Sequence, residues 1–298
     1  MINENINPWK HVKAGDVTNN PYLNPKEEPK IYDLKPQIMD NDCKLLKESS
    51  LYIRNWIDKQ SSVKEESLTD WLLFDISNKI WRISYKAFSR NEEAKITGAD
   101  WEWWFLFKKN SYKFRVQAKK IKTNGDNYSS IAYSNKHGLQ IDKLISDSID
   151  NNSIPLYSFY TNKIDRVKCG NNIIDEGVYI TGANGLNEKF IKVGRQIIQY
   201  NDILEGSIPL SCMLCCPMAR RSDSGRDFTE FISNYFSSEL KNNDSNQFIG
   251  QYKEIPVYVR SLIKISNESK SDSWEKEFEN YIKNVNGIMI FDNRNMDE

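Results

Sequence analysis

Histidine is almost missing from this chain: two in 298 residues, His11 and His137, far apart in sequence. Neither has a nucleophile or a second ligand beside it, which argues against histidine-based catalysis and histidine metal centres. No apolar run approaches a membrane span and no apolar segment opens the chain. With only five cysteines, that points to a reducing cytoplasm. Cys212, Cys215 and Cys216 form a C-x-x-C-C cluster inside the apolar run IPLSCMLCCPM. No histidine stands near to complete a tetrahedral set, so buried structural thiols are expected there instead of zinc. Net charge is zero, from 41 basic and 41 acidic residues, so no global field draws the chain to nucleic acid and any such contact must be local. Internal repeats, phosphate-cradling glycine loops and heptad arrays are also lacking.

What the chain does have is aromatic density, concentrated in Thr97 to Lys120, TGADWEWWFLFKKNSYKFRVQAKK. The segment reads as a β-hairpin turning at Lys108 to Ser111. Strand alternation puts Asp100, Glu102 and Trp104 on one face of the first strand, and Trp101, Trp103 and Phe105 on the other. In the second strand Arg115, Gln117 and Lys119 point one way, while Phe114, Val116 and Ala118 point the other. So many aromatics imply burial on both faces, where a carboxylate needs a metal or a donor to compensate it. A carboxylate, an amide oxygen and an ammonium therefore converge.

That convergence suits metal-dependent phosphodiester hydrolysis. Mg²⁺, for which Mn²⁺ can substitute, takes oxygen ligands, and Asp100 with the Gln117 side-chain oxygen supplies them. Lys119 is placed to orient the attacking water or to neutralise charge developing on the phosphate. Upstream, SVKEESLTDWLLFDISNKI (Ser62 to Ile80) reads as a helix, with Leu68, Leu72, Ile76 and Ile80 at four-residue spacing. Glu65 continues this stripe one turn earlier. The pair Glu65 and Glu66 also complements a helix dipole, a purely structural role.

Asp100 followed by Gln117-Ala118-Lys119 resembles the bipartite D…(E/Q)xK signature of the restriction-endonuclease-like PD-(D/E)xK superfamily, in the Mrr-like branch where Gln replaces the usual acid. The run GADWEWWF then VQAK also resembles an uncharacterised bacterial family associated with phage defence. The likeness covers roughly residues 64 to 181. It implies an α/β fold with a restriction-endonuclease-like core, a central mixed β-sheet flanked by helices. It also implies a Mg²⁺-dependent endodeoxyribonuclease acting in restriction or antiviral defence. An acid near the start of the upstream helix, Glu65 or Glu66, completes the catalytic set with Asp100, Gln117 and Lys119, and Glu65 joins Asp100 and Gln117 at the metal. DNA is the implied substrate, though the chemistry admits RNA, and a homodimer or defence-system proteins are the implied partners. Gln117 departs from the majority acid and removes one negative charge. The alternative is accordingly a catalytically inactive nuclease-fold protein that binds nucleic acid or a partner protein.

Three regions are expected: an irregular arm over 1–39, the nuclease core over 40–183, and a C-terminal extension over 184–298 packing on it. A helix over Asp40 to Lys59, a strand over Trp81 to Phe88, a helix after His137, and strands IPLYSFY and EGVYITGA complete the core. Glu92 and Glu93 are candidates for reaching the site, and Gly98 marks a close backbone approach or a bulge beside the acid. Gln140, Lys143, Lys120 and Arg115 are the candidate nucleic-acid contacts, within a basic cluster around the hairpin. Beyond residue 184 a helix over Leu186 to Gln199, an ARRSDSGRD loop, an Asp227/Glu230 capping pair and a closing helix-strand pair, SWEKEFENYIKNV then GIMIF, are read.

Overall fold

The computed structural model describes residues 37–88, 98–122, 124–135, 138–164, 167–169, 172–216, 226–240, 249–268 and 285–294. The expectations for Glu92, Glu93, His137, the ARRSDSGRD loop up to Gly225 and the helix SWEKEFENYIKNV up to Asn284 lie outside these residues, as does the arm up to residue 36.

Two helices come first. α1 (Gln37–Lys59) buries Leu46, Ile53 and Ile57, spaced so that they share one face. α2 (Glu65–Lys79) packs beside it, burying Leu68, Leu72, Leu73 and Ile76 as the four-residue spacing predicts. Lys64 is extended and starts α2 without a side-chain cap, leaving Glu65 and Glu66 in the first turn, where helix-end amides favour carboxylates. The expected arm thus ends sooner than residue 39, because α1 has begun by Gln37.

β1 (Ile83–Ala87) leads to the hairpin of β2 (Trp101–Leu106) and β3 (Ser111–Lys120), closed by Phe107 N–H donating to Asn110 O at 3.0 Å. The chain then runs through α3 (Gln140–Asp150) to β4 (Ile154–Tyr160), which lies parallel to β3, so the β3-α3-β4 segment is a crossover. β5 (Val178–Gly182), β6 (Ile208–Pro209), the short helix α4 (Cys212–Cys215), α5 (Arg226–Tyr235), β7 (Gln251–Tyr252), α6 (Val257–Glu268) and β8 (Gly287–Asp292) follow. Together they form a mixed α/β protein built on one 8-stranded sheet, ordered β1-β8-β2-β3-β4-β5-β6, with β7 added beside β3.

The sheet is mixed: β8 pairs parallel with β2, and β4 parallel with β3, while the other pairings are antiparallel. Helices cover both faces. On one, α2 supplies Thr69 to the Tyr160 hydroxyl, and α5 stacks Phe228 on Phe105 with ring centroids 5.3 Å apart. On the other, α3 sets Asp147 against Arg115, and α6 brings the Tyr258 hydroxyl to Glu102. Every residue of β2 and all of β3 except Lys120 are buried as a result.

Three expectations change. The boundary at 183 does not divide the sheet, since β8, from the far end of the chain, lies between β1 and β2. The helix expected over Leu186 to Gln199 ends by Ile191, and the chain beyond the following turn is irregular up to Ile198. Cys43 and Cys215 form a disulfide across 172 residues, with Cα atoms 5.4 Å apart, so of the three thiols expected to be buried and structural only Cys212 and Cys216 remain as buried thiols outside a disulfide. That bond removes the cysteine argument for a reducing compartment. Among the described residues no helix is long and apolar enough to cross a membrane.

Candidate active site

The site forms where the β2-β3 ladder runs out. Pairing begins at Trp101 opposite Val116, and Asp100 N–H still donates to Val116 O at 2.9 Å. Beyond that point Ala118 N–H has no strand partner on this side, and the Asp100 carboxylate accepts it at 2.9 Å. On its other flank Asn286 N–H donates to Asp100 O at 2.7 Å, so the approach to β8 also fixes this residue. Gly98, at φ +73°, supplies the close approach expected beside the acid: a Cβ there would meet Gln140 O at 2.6 Å and Leu144 N at 2.9 Å.

Gln117 donates its amide N–H to Asp100, and its amide oxygen accepts from Gln140 Nε2 at 2.8 Å. Gln140, expected at the nucleic acid, instead braces the amide of Gln117. The Gln117 oxygen therefore faces Gln140 and the nitrogen faces the acid, opposite to the polarity a metal ligand needs.

From the other side comes Glu65, the first residue of α2. One of its carboxylate oxygens accepts Lys120 N–H at 2.6 Å, and the other lies 3.8 Å from Lys119 Nζ. Burial pushes Glu65 up to a pKa of about 7; Lys119 and the Lys120 amide pull it down, while Asp100 and Glu66 push it further up. The structure thereby distinguishes the two acids: Glu65 makes these contacts, and Glu66 only lines the same cleft, with Asp70, Asp100, Trp101 and Asn286.

Tyr157 is a residue that sequence reasoning passed over. It faces Gln117 across the β3-β4 pairing and is fully buried, and its hydroxyl has no hydrogen-bond partner among the described residues. Burial raises its pKa, and the charges of Asp100 and Glu65 raise it further, which puts the ring in the field of the site. Its place in the run IPLYSFY gave no hint of this, because only the register of β4 on β3 brings it beside Gln117.

The other candidates are placed elsewhere. Arg115 is buried against Glu102 and Asp147, at 3.6 and 3.4 Å, and is not available to a phosphate. Lys120 turns its ammonium back onto Ser61 O and Val63 O, each at 2.6 Å, which ties down the α1-α2 loop. Lys143 is half-buried on α3, beside the backbone at Gly98. Glu102, read on the same face as Asp100, is not part of the cleft: Lys113, Arg115, Trp104 and Tyr258 enclose it.

Among the described residues no group of three or more His, Cys, Asp or Glu side chains is arranged to hold a metal. The donor set at this position is two carboxylates, Asp100 and Glu65, and one amide. The two carboxylates are hard oxygen donors of the kind Mg²⁺ takes, whereas the amide presents its N–H to Asp100. Two observations fit a cation here: Asp100 opposes the ionisation of Glu65, and the buried Tyr157 hydroxyl is orphaned beside them.

The fold and this cluster define a mixed α/β protein with an acid, amide and lysine constellation at the open end of a central hairpin. The chain belongs to the family of unknown function DUF6615, whose model matches residues 42–297. No curated protein and no solved structure matches it.

Proposed function

We propose that this protein is a metal-dependent nuclease that hydrolyses DNA phosphodiester bonds from a restriction-endonuclease-like core, as a restriction or anti-phage defence effector. The observation that carries the reading is how Glu65, Asp100, Gln117 and Lys119, drawn from α2 and the hairpin, adjoin: Glu65 and Asp100 line one cleft, Lys119 lies 3.8 Å from Glu65, and Gln117 donates to Asp100. Asp100 and Glu65 would hold Mg²⁺ or Mn²⁺, with Gln117 joining them once its amide turns over about its terminal bond. The ion, when bound, supplies the charge that polarises the phosphate and acidifies the attacking water.

The chain's own groups do the rest. The Ala118 amide and the backbone contacts to Val116 and Asn286 fix Asp100 before any ligand arrives. Lys119, buried and facing Glu65, is placed to hold water and to offset charge growing on the phosphate oxygens. Glu65, raised by burial to a pKa of about 7 without a cation, would give up its proton on binding the ion, so metal uptake at neutral pH should release a proton.

A second reading, an inactive nuclease fold that binds nucleic acid or a partner protein, is favoured by one observation. The Gln117 amide is satisfied by Asp100 and Gln140, so the site is closed on itself. Plasmid cleavage separates the two. Supercoiled DNA incubated with the protein and Mg²⁺ or Mn²⁺ should be nicked or degraded, and EDTA should abolish the reaction. Lys119→Ala should lower turnover by about a hundredfold or more while leaving DNA binding in place. Cleavage that survives in Lys119→Ala refutes the site; absence of metal binding by calorimetry, with no cleavage, establishes the inactive reading.

A further inference from the structure

A separate groove adjoins the acids. It runs between the α1-α2 loop and the segment after β3, and it is lined by Ser61, Ser62, Lys64, Lys122, Asn124 and Ser130, with Glu65 and Glu66 at one end. We propose that this groove is the track for the phosphodiester backbone of the nucleic-acid substrate, with Lys64 and Lys122 as its phosphate contacts. The inference rests on the nuclease reading above and names the surface that delivers substrate to that site.

Three features support it. The groove offers about 550 Å³, far more than an ion requires and within the range of ligand clefts generally. Lys64 and Lys122 are exposed and make no ion pair among the described residues, whereas the buried Lys113 and Lys119 are committed to Glu102 and Glu65. Lys120, between the two walls, has its ammonium on the carbonyls of Ser61 and Val63, which holds the α1-α2 loop against the end of β3 and keeps the groove's shape. Serine hydroxyls and an asparagine amide are the neutral donors that phosphate contacts use beside lysine. A strand seated along these groups ends at Glu65, where the acid cluster begins. Positive charge along the track and negative charge at its end suit a polyanion that must meet a cation at the bond to be cut.

The test is fluorescence anisotropy of the full-length protein with labelled duplex DNA, single-stranded DNA and RNA of one length, in EDTA, over a range of salt. Lys64→Glu/Lys122→Glu removes the proposed contacts. Lys108→Glu/Lys109→Glu, at the exposed hairpin turn away from the site, makes the same change in net charge. The groove variant should bind at least about tenfold more weakly, and Lys64→Ala/Lys122→Ala should reduce the slope of log affinity against log salt by about 2. The control should bind like the wild type. Equal weakening in both charge-reversed variants, or wild-type binding by the groove variant, overturns the groove and leaves the nuclease reading standing. A wild-type protein that binds none of the three probes and cleaves no plasmid overturns both. The probe held most tightly identifies the form of the substrate.

Discussion

Glu102→Ala should be among the most destabilising single changes in this protein. Glu102 is 2% exposed, accepts Trp104 Nε1 and the Tyr258 hydroxyl at 2.6 Å each, and lies 3.3 Å from Lys113 Nζ and 3.6 Å from Arg115 Nη2. Burial alone would raise its pKa, but the two cations and two donors outweigh burial and hold it below the ordinary carboxylate range. Removing it leaves Lys113 and Arg115 buried with Asp147 as the nearest remaining acid, 3.4 Å from Arg115 Nε. Breaking a buried pair from one side costs about 3–5 kcal/mol, and each orphaned donor costs about 1–3 kcal/mol. These costs overlap, so a loss of about 4 kcal/mol is expected from a domain whose total is on the order of 5–15 kcal/mol. Urea unfolding followed by tryptophan fluorescence measures it. The loss should shrink as pH rises, because burial already lowers the Lys113 pKa and deprotonation removes one of the stranded charges. A loss below about 1 kcal/mol with an unchanged m-value, or a deficit that grows with pH, would refute the reasoning.

Glu176 is fully buried, and burial raises its pKa to about 7 from an ordinary 4.5, against hydrogen bonds from Ser211 and Ser50. The folded state keeps this proton between those values while the unfolded chain loses it, so stability falls as pH rises through that window, by at most about 3 kcal/mol. Glu176→Gln should flatten the slope between pH 5 and 8 and stabilise the protein at pH 8; an unchanged slope in urea titrations at the two pH values would show that Glu176 does not supply it. Gly287 sits where a Cβ would run into the Trp101 ring and approach Lys86 O at 2.5 Å. Gly287→Ala should therefore cost about 1–3 kcal/mol in thermal unfolding and, through Trp101, displace Asp100; a variant with the wild-type melting temperature would count against that packing.

Much of the hairpin was legible because strand alternation is a local property. Asp100, Gln117 and Lys119 do gather at one end of it, and the α2 stripe and the order of elements up to β5 follow the periodicity of the chain. What was not legible depends on long-range pairing. No pattern in GIMIF announces that it inserts between strands some two hundred residues earlier, and no spacing links Cys43 to Cys215. Charge alone also misled: Arg115 and Lys120 carry the right sign for a phosphate, but burial commits one to Glu102 and Asp147, and backbone carbonyls commit the other. Lys122 belongs to the basic cluster read around the hairpin, but Lys64 is ordinary by sequence and joins it only because the fold brings the α1-α2 loop opposite the end of β3.

One face of the hairpin and the helices over it explain why the candidate site lies where it does. Toward the turn, Lys113 and Arg115 are matched by Glu102 and Asp147, two cations against two acids, all largely enclosed. Toward the open end the matching fails. Asp100, Glu65 and Glu66 share a cleft, Lys119 lies 3.8 Å from Glu65, and Lys120 has turned its ammonium away to the loop carbonyls. Asp100 and Glu65 are half-buried and Glu66 is exposed, so the excess of negative charge is only partly screened by water and is relieved when a proton or a cation offsets it. Without a cation the protein offsets it by holding Glu65 near pKa 7 and by giving Asp100 the Gln117 amide. Both devices are reversible: a divalent ion would displace the proton and reverse the amide. The neutral end thus fixes the hairpin in the sheet, while the acidic end is where the proposed nuclease would take up its metal.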